Sequence, residues 1–226
     1  GNGYGKVYIN GGVVTAVANS SGAAIGGGIG ESSSGGNALI NITGGEVYAY
    51  NYGYVSSMSG SKYFIAGAGI GGGSSCKSSG NSSTNITISG GYVFASSLGG
   101  AAIGGGSSTM SSGGPATVTI SGDAIVEAQS ISGTDTNGKP VEAGTAIGGG
   151  TGGEAGTSNG GSITLNINGG TIYTGSIGGG RCKNSTGKIG SGTVKMTSGT
   201  LHGQVVMGAG AGTNTFTMSG GKIDNS

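Results

Sequence analysis

The sequence predicts an all-β fold, a single-stranded parallel β-solenoid wound as a right-handed β-helix with three short strands per coil of about 30 residues. Three observations predict it. An Ile-Gly-Gly-Gly phrase, usually led by Ala, recurs with its Ile at Ile25, Ile70, Ile103, Ile147 and Ile177, and in a degenerate copy at Val206-Met207-Gly208. A second phrase joins an alternating strand to a shorter one through a Gly corner, as in Asn41-Ile42-Thr43-Gly44-Gly45-Glu46-Val47-Tyr48-Ala49 and Thr87-Ile88-Ser89-Gly90-Gly91-Tyr92-Val93-Phe94-Ala95. Its apolar residues alternate with polar ones at period two, the signature of a half-buried strand.

Copies of the strand pair also start near Lys6, Thr119, Asn166, Lys195 and Thr217, which makes seven. Ile86/Ile88, Val118/Ile120, Leu165/Ile167, Val194/Met196 and Phe216/Met218 point to one side, and Thr87, Thr119, Asn166, Lys195 and Thr217 to the other. One copy cannot bury its inward set alone. Stacked copies bury it as a column and pair each strand with its counterpart. Gly at the corners supplies positive φ, and the Gly triplets let backbones pack where a side chain would not fit. The hand follows from the preference of parallel crossovers. The Gly content opposes α-helices. A bundle of polyglycine helices would need longer Gly repeats without β-branched alternation.

Gly contributes 59 of 226 residues, a bias that suggests disorder unless the apolar third of the chain falls in register, as it does here. Pro is too scarce and Gly too irregular for collagen. With nine Lys or Arg against eight Asp or Glu, no basic patch is available for a phosphate backbone, so nucleic acid is not an expected partner. No apolar run reaches the roughly 20 residues of a membrane span. The chain opens and closes inside a repeat (Gly1-Asn2-Gly3 and Lys222-Ile223-Asp224), so residues 1–226 are expected to be one domain, a monomeric module cut from a longer protein.

The Ile-to-Ile spacings are 45, 33, 44, 30 and 29 residues. The two long units carry insertions at residues 50–65 and 130–145, at one shared corner, and insertions on one face of a repeat array often form its binding side. They flank one regular coil and are expected to stand as walls about 10 Å apart. The first is aromatic, with Tyr50, Tyr52, Tyr54, Tyr63 and Phe64. On the adjoining second strands the outward position reads Thr15, Tyr48, Phe94, Glu127, Tyr173, His202 and Asp224, with a one-residue bulge at Asp123-Ala124. The outward position before it reads Glu46, Tyr92 and Thr171. Aromatic rings beside polar groups suit the stacking of sugar rings. The same rings also brace a sheet by neighbour packing. The expected ligand-binding set is Tyr48, Tyr92, Phe94, Tyr52, Tyr54, Glu127, Asp135 and Tyr173, with a glycan as partner.

Catalytic chemistry finds little footing. His202 has no Ser or Cys partner in a recognisable motif. The Gly triplets lack the Lys-Ser/Thr and the helix of a phosphate loop, and no cofactor is expected. Asp does not recur as calcium-binding Gly-rich repeats require. Cys76 and Cys182 lie three coils apart, roughly 14 Å, too far for a direct disulfide without loop movement, which favours two free thiols over a bonded pair, and two cysteines alone make no zinc site. An alternative is a polysaccharide-degrading enzyme using Asp123, Glu127 and Asp135, near Lys139 and Glu142. Further alternatives are a structural spacer and an ice-binding surface on the outward ladder Tyr8, Asn41, Thr87, Thr119, Asn166, Lys195 and Thr217, which Lys interrupts.

The units Gly67-Ala68-Gly69-Ile70-Gly71-Gly72-Gly73 and Thr87-Ile88-Ser89-Gly90-Gly91-Tyr92-Val93 resemble the Gly-rich repeats of large secreted or wall-attached proteins of Gram-positive gut bacteria. The resemblance spans nearly the whole chain. It implies a pectate-lyase-like β-helix, extracellular display, and adhesion or glycan capture. It supplies no catalytic residues, and the two insertions depart from its pattern.

Overall fold

The computed structural model describes residues 4–30, 33–58, 61–76, 83–154, 158–183, 185–204 and 212–224, and within them every regular element is a strand. The first repeat holds β1 (Tyr4–Ile9), β2 (Val13–Ala18) and β3 (Ile25–Gly26). The second holds β4 (Asn37–Ile42), β5 (Glu46–Asn51), β6 (Tyr54–Met58), β7 (Ser61–Ile65) and β8 (Ile70–Gly71), and the third β9 (Thr84–Ile88), β10 (Tyr92–Leu98) and β11 (Ile103–Gly104). The fourth runs through β12 (Ala116–Ile131), β13 (Gly133–Thr134), β14 (Pro140–Val141) and β15 (Ile147–Gly148). The last three comprise β16 (Ile163–Thr174) and β17 (Ile177–Gly178), then β18 (Gly192–Gly203), then β19 (Asn214–Met218) and β20 (Lys222–Asp224). The degenerate copy at Val206-Met207-Gly208 lies outside the described residues.

The expected single-stranded β-solenoid, a right-handed β-helix with three short strands per coil, needs correction. The strands form several sheets. In the largest, seven parallel strands follow one another as β1-β4-β9-β12-β10-β5-β2 and curl into a half-barrel, and β16, β18, β19 and β20 join it to make eleven. The reason lies at the corner. In β12, β16 and β18 the backbone keeps its parallel pairing through the expected break, so the two limbs of each repeat belong to one sheet. The chain turns there on a column of glycines with φ of 79° (Gly12), 90° (Gly45), 79° (Gly91) and 79° (Gly170), a conformation that costs other residues strain. A separate parallel sheet of five strands stacks the Ile-Gly dipeptides in the order β17-β15-β11-β8-β3. Each insertion adds an antiparallel hairpin, β6-β7 and β13-β14. The first insertion begins later than expected, because Tyr50 and Asn51 still pair with Ser96 and Ser97. Ser130 and Ile131 likewise still belong to β12.

The register is that of equivalent residues on equivalent residues. Val7, Ile40, Ile86, Val118, Leu165, Val194 and Phe216 form one column, and Val14, Val47, Val93, Val126, Ile172, Leu201 and Ile223 another. Ile25, Ile70, Ile103, Ile147 and Ile177 face them from the five-stranded sheet, and together these side chains make the core. A fully buried Ile contributes about 1.5–3 kcal/mol of transfer free energy, so the columns are the main stabilising term.

Most of the glycines behind those Ile residues lie closest to backbone. Gly104 has φ of 146°, and a Cβ there would fall on the carbonyl oxygen of Gly148. At Gly106 the backbone is unstrained, yet a Cβ would fall on the carbonyl of Gly73. Gly175 has nothing within 4 Å of an added Cβ. Chemical denaturation should therefore show Gly106→Ala losing more than about 3 kcal/mol, while Gly175→Ala stays within about 0.5 kcal/mol of the parent. Equal losses would mean that backbone crowding does not set the packing.

Candidate functional site

Because β2, β5, β10, β12, β16, β18 and β20 pair in register, their outward residues fall into rows. Thr15, Tyr48, Phe94, Glu127, Tyr173, His202 and Asp224 lie side by side, one strand apart. The extra residue between Gly122 and Ile125 of β12 is what brings Glu127 into that row. The neighbouring row places Glu46 beside Tyr92, and the next places Tyr50 beside Ser96.

Tyr48, Tyr50, Tyr92 and Phe94 thereby share one patch on two adjacent strands. Tyr48 and Tyr92 meet at 5.7 Å between centroids, tilted by 54°. Tyr50 meets Phe94 at 5.4 Å and stacks on Tyr52 at 6.5 Å with planes 8° apart. Such separations are those of favourable aromatic pairs. Two carboxylates edge the patch. The Tyr48 hydroxyl donates to Glu46 Oε2 at 3.2 Å, a bond to a carboxylate that holds the phenol proton and raises its pKa. Tyr92 is raised too, first by partial burial and then by the charge of Glu127.

The remaining expected residues are dispersed. Tyr173 is 43% exposed but stacks on His202 at 4.6 Å, one strand further along and separated from Phe94 by Glu127. Tyr52 and Tyr54 are exposed at the foot of the first hairpin, turned by Gly53. Asp135 serves its own hairpin: its Oδ1 accepts from the backbone N–H of Asn137 at 2.8 Å and Lys139 at 2.9 Å, and these bonds lower its pKa. Asp123 sits at the bulge, exposed, with its carboxylate beside Gly90. Thus Asp123, Glu127 and Asp135 occupy three settings: corner, strand face and hairpin turn. Among the described residues no group of three or more His, Cys, Asp or Glu is arranged to hold a metal ion. Cys76 and Cys182 are thiols, and Cys182 Sγ donates to the Ser158 carbonyl at 2.8 Å.

The two insertions do not stand apart as walls. Lys62 Nζ of the first donates to Asn137 Oδ1 of the second at 3.0 Å. Between them lies a cavity of about 300 Å³, lined by Phe64, Lys139, Val141, Arg181 and Lys183 among others. Of the expected site residues only Asp135 reaches it. The aromatic patch and the cavity are two separate features.

No family model and no curated protein matches the chain. Among solved structures, the crystal structure of the Caldicellulosiruptor kristjanssonii tapirin C-terminal domain is similar at 13% identity and a TM-score of 0.22, over 99% of this chain and 53% of that one. The chain spans about half of that domain's length, and a likeness this slight carries no argument. No enzyme family is matched.

Two features escaped the sequence. Tyr50 was legible: it continues the period-two series Glu46, Tyr48, Tyr50, but it counted as insertion rather than strand. The cations Lys62, Arg181 and Lys183 come from distant repeats, and only the fold shows that they converge.

Replacing Glu127 by Gln should lower the Tyr92 pKa part of the way toward an ordinary tyrosine, because burial remains when the charge is gone. Titration of labelled Tyr ring carbons by NMR reads this directly. An unchanged Tyr92 would place Glu127 out of reach of it.

Proposed function

We propose that the chain is a noncatalytic carbohydrate-binding or adhesive module of an extracellular bacterial protein, secreted or attached to the cell wall. Its partner is a glycan, a host or plant polysaccharide, stacked on the patch of Tyr48, Tyr50, Tyr92 and Phe94. The observation that carries the proposal is the gathering of four rings on two paired strands, in contact as two pairs and extended by Tyr52. Sugar rings offer apolar C–H faces and a rim of hydroxyls. The rings suit the faces, and Glu46 and Glu127 accept from hydroxyls at the margin. The extracellular setting rests on the repeat resemblance, not on the patch.

A glycan array followed by calorimetry tests the proposal. The parent chain should retain a family of related oligosaccharides, and Phe94→Ala and Tyr92→Ala should each weaken that binding roughly tenfold, equal to about 1.4 kcal/mol. Thermal denaturation confirms that each variant remains folded. If no glycan is retained, or if folded Phe94→Ala binds as the parent does, the rings brace the sheet and the patch is not the site.

A further inference from the structure

We propose that the cavity between the two hairpins binds a sugar bearing a carboxylate, with the anion on Lys139 and Lys183 and the carbon ring against Phe64, Pro140 and Val141. The proposal rests on the glycan-binding reading, but it concerns a second site away from the aromatic patch.

Charge is scarce in this protein and unevenly spread. Four of the nine Lys and Arg residues, Lys62, Lys139, Arg181 and Lys183, line this one cavity. They arrive from three parts of the chain, and Lys183, Arg181 and Lys62 are held in place. Lys183 Nζ donates to the Phe64 carbonyl at 3.0 Å, and Arg181 Nη1 to the Ala143 carbonyl at 3.0 Å. Lys62 is tied to Asn137 across the hairpins.

Three carboxylates, Asp135, Glu142 and Glu154, also line the cavity and leave the four cations in excess by one. Glu142 is engaged by Arg181 in an ion pair. Asp135 turns one oxygen onto the backbone N–H groups of its own turn. Glu154 lies near enough to Lys183 to favour its charge. Burial nevertheless holds the Lys183 pKa below the ordinary lysine value, outweighing the pull of Glu154. An ammonium has three donors. Lys183 gives one to Phe64 and keeps two, and Lys139 faces only the charge of Asp135, whose Oδ1 already accepts two backbone N–H groups.

The shape narrows the ligand. About 300 Å³ is the low end of small-molecule pockets, room for one sugar ring rather than a chain. Phe64, Pro140 and Val141 give it an apolar wall that a bare inorganic anion would not use. Phosphate and sulfate are best gripped by a guanidinium fork, and Arg181 already spends one donor of each terminal nitrogen, on Ala143 and on Glu142. A carboxylate on a carbon ring suits the lysines that remain.

Methyl β-D-glucuronide and methyl β-D-glucoside differ only in that carboxylate and are the probes. Titrated into the whole chain, the glucuronide should bind and shift the side-chain resonances of Lys139 and Lys183, and the glucoside and acetate should bind at least tenfold more weakly. The Lys139→Ala/Lys183→Met double variant should lose glucuronide binding at least tenfold. Phe94→Ala should retain it, so that failure at the aromatic patch stays distinguishable from failure here. Equal binding of glucoside or acetate, unshifted lysine resonances in the parent chain, or a folded double variant that binds as before would overturn the proposal.

Discussion

The contact on which the rest depends is backbone against backbone between the glycine triplets of successive repeats. Gly27 donates its N–H to the Gly71 carbonyl at 2.8 Å, Gly72 to Gly104 at 2.9 Å, Gly105 to Gly148 at 3.0 Å and Gly149 to Gly178 at 3.3 Å. Each bond holds one repeat directly on the next. There is no room for a side chain in this column, and so the Ile that precedes it is delivered to the same depth every time. The apolar columns follow from that spacing. Burial supplies the free energy, but the glycine contacts decide which residues are buried together.

One consequence is that side chains outside the core are placed as strictly as those within it. A row of outward residues is a list of equivalent positions, one from each strand, at about 4.8 Å intervals. The sheet thus presents Tyr48 beside Phe94 and Glu46 beside Tyr92 without any loop to arrange them. The irregular segments do the opposite. The two hairpins obey no repeat. They reach across one regular repeat, meet through Lys62 and Asn137, and enclose a charged cavity. The protein thereby has two kinds of surface, one set by register and one set by exception.

Much of this was legible in the residues. Period-two alternation gave the inward set and the outward row from Thr15 to Asp224, including the bulge before Glu127, because each strand has only two faces and the repeat fixes which is which. The sheet topology was less legible. A Gly pair reads as a corner that ends a strand, but Gly169-Gly170 and its equivalents turn while their neighbours keep pairing, so β12, β16 and β18 run on and the limbs fuse into one half-barrel sheet. Alternation reports burial, not whether a bend interrupts hydrogen bonding. The cavity was not legible at all. Lys62, Arg181 and Lys183 have no shared sequence pattern, and their convergence depends on where two hairpins lean. Asp135 was legible as a loop carboxylate but not as a turn cap, since that depends on backbone N–H groups.

The most direct measurement of the central claim is a methyl NOE map of the isoleucines in the five-stranded sheet. In-register stacking on the glycine column predicts contacts from Ile25 to Ile70, Ile70 to Ile103, Ile103 to Ile147 and Ile147 to Ile177, each from a neighbouring strand only. It also predicts that the amides of Gly72 and Gly105 are among the slowest to exchange with solvent. A map in which these isoleucines lack mutual contacts, or in which those amides exchange freely, would contradict it.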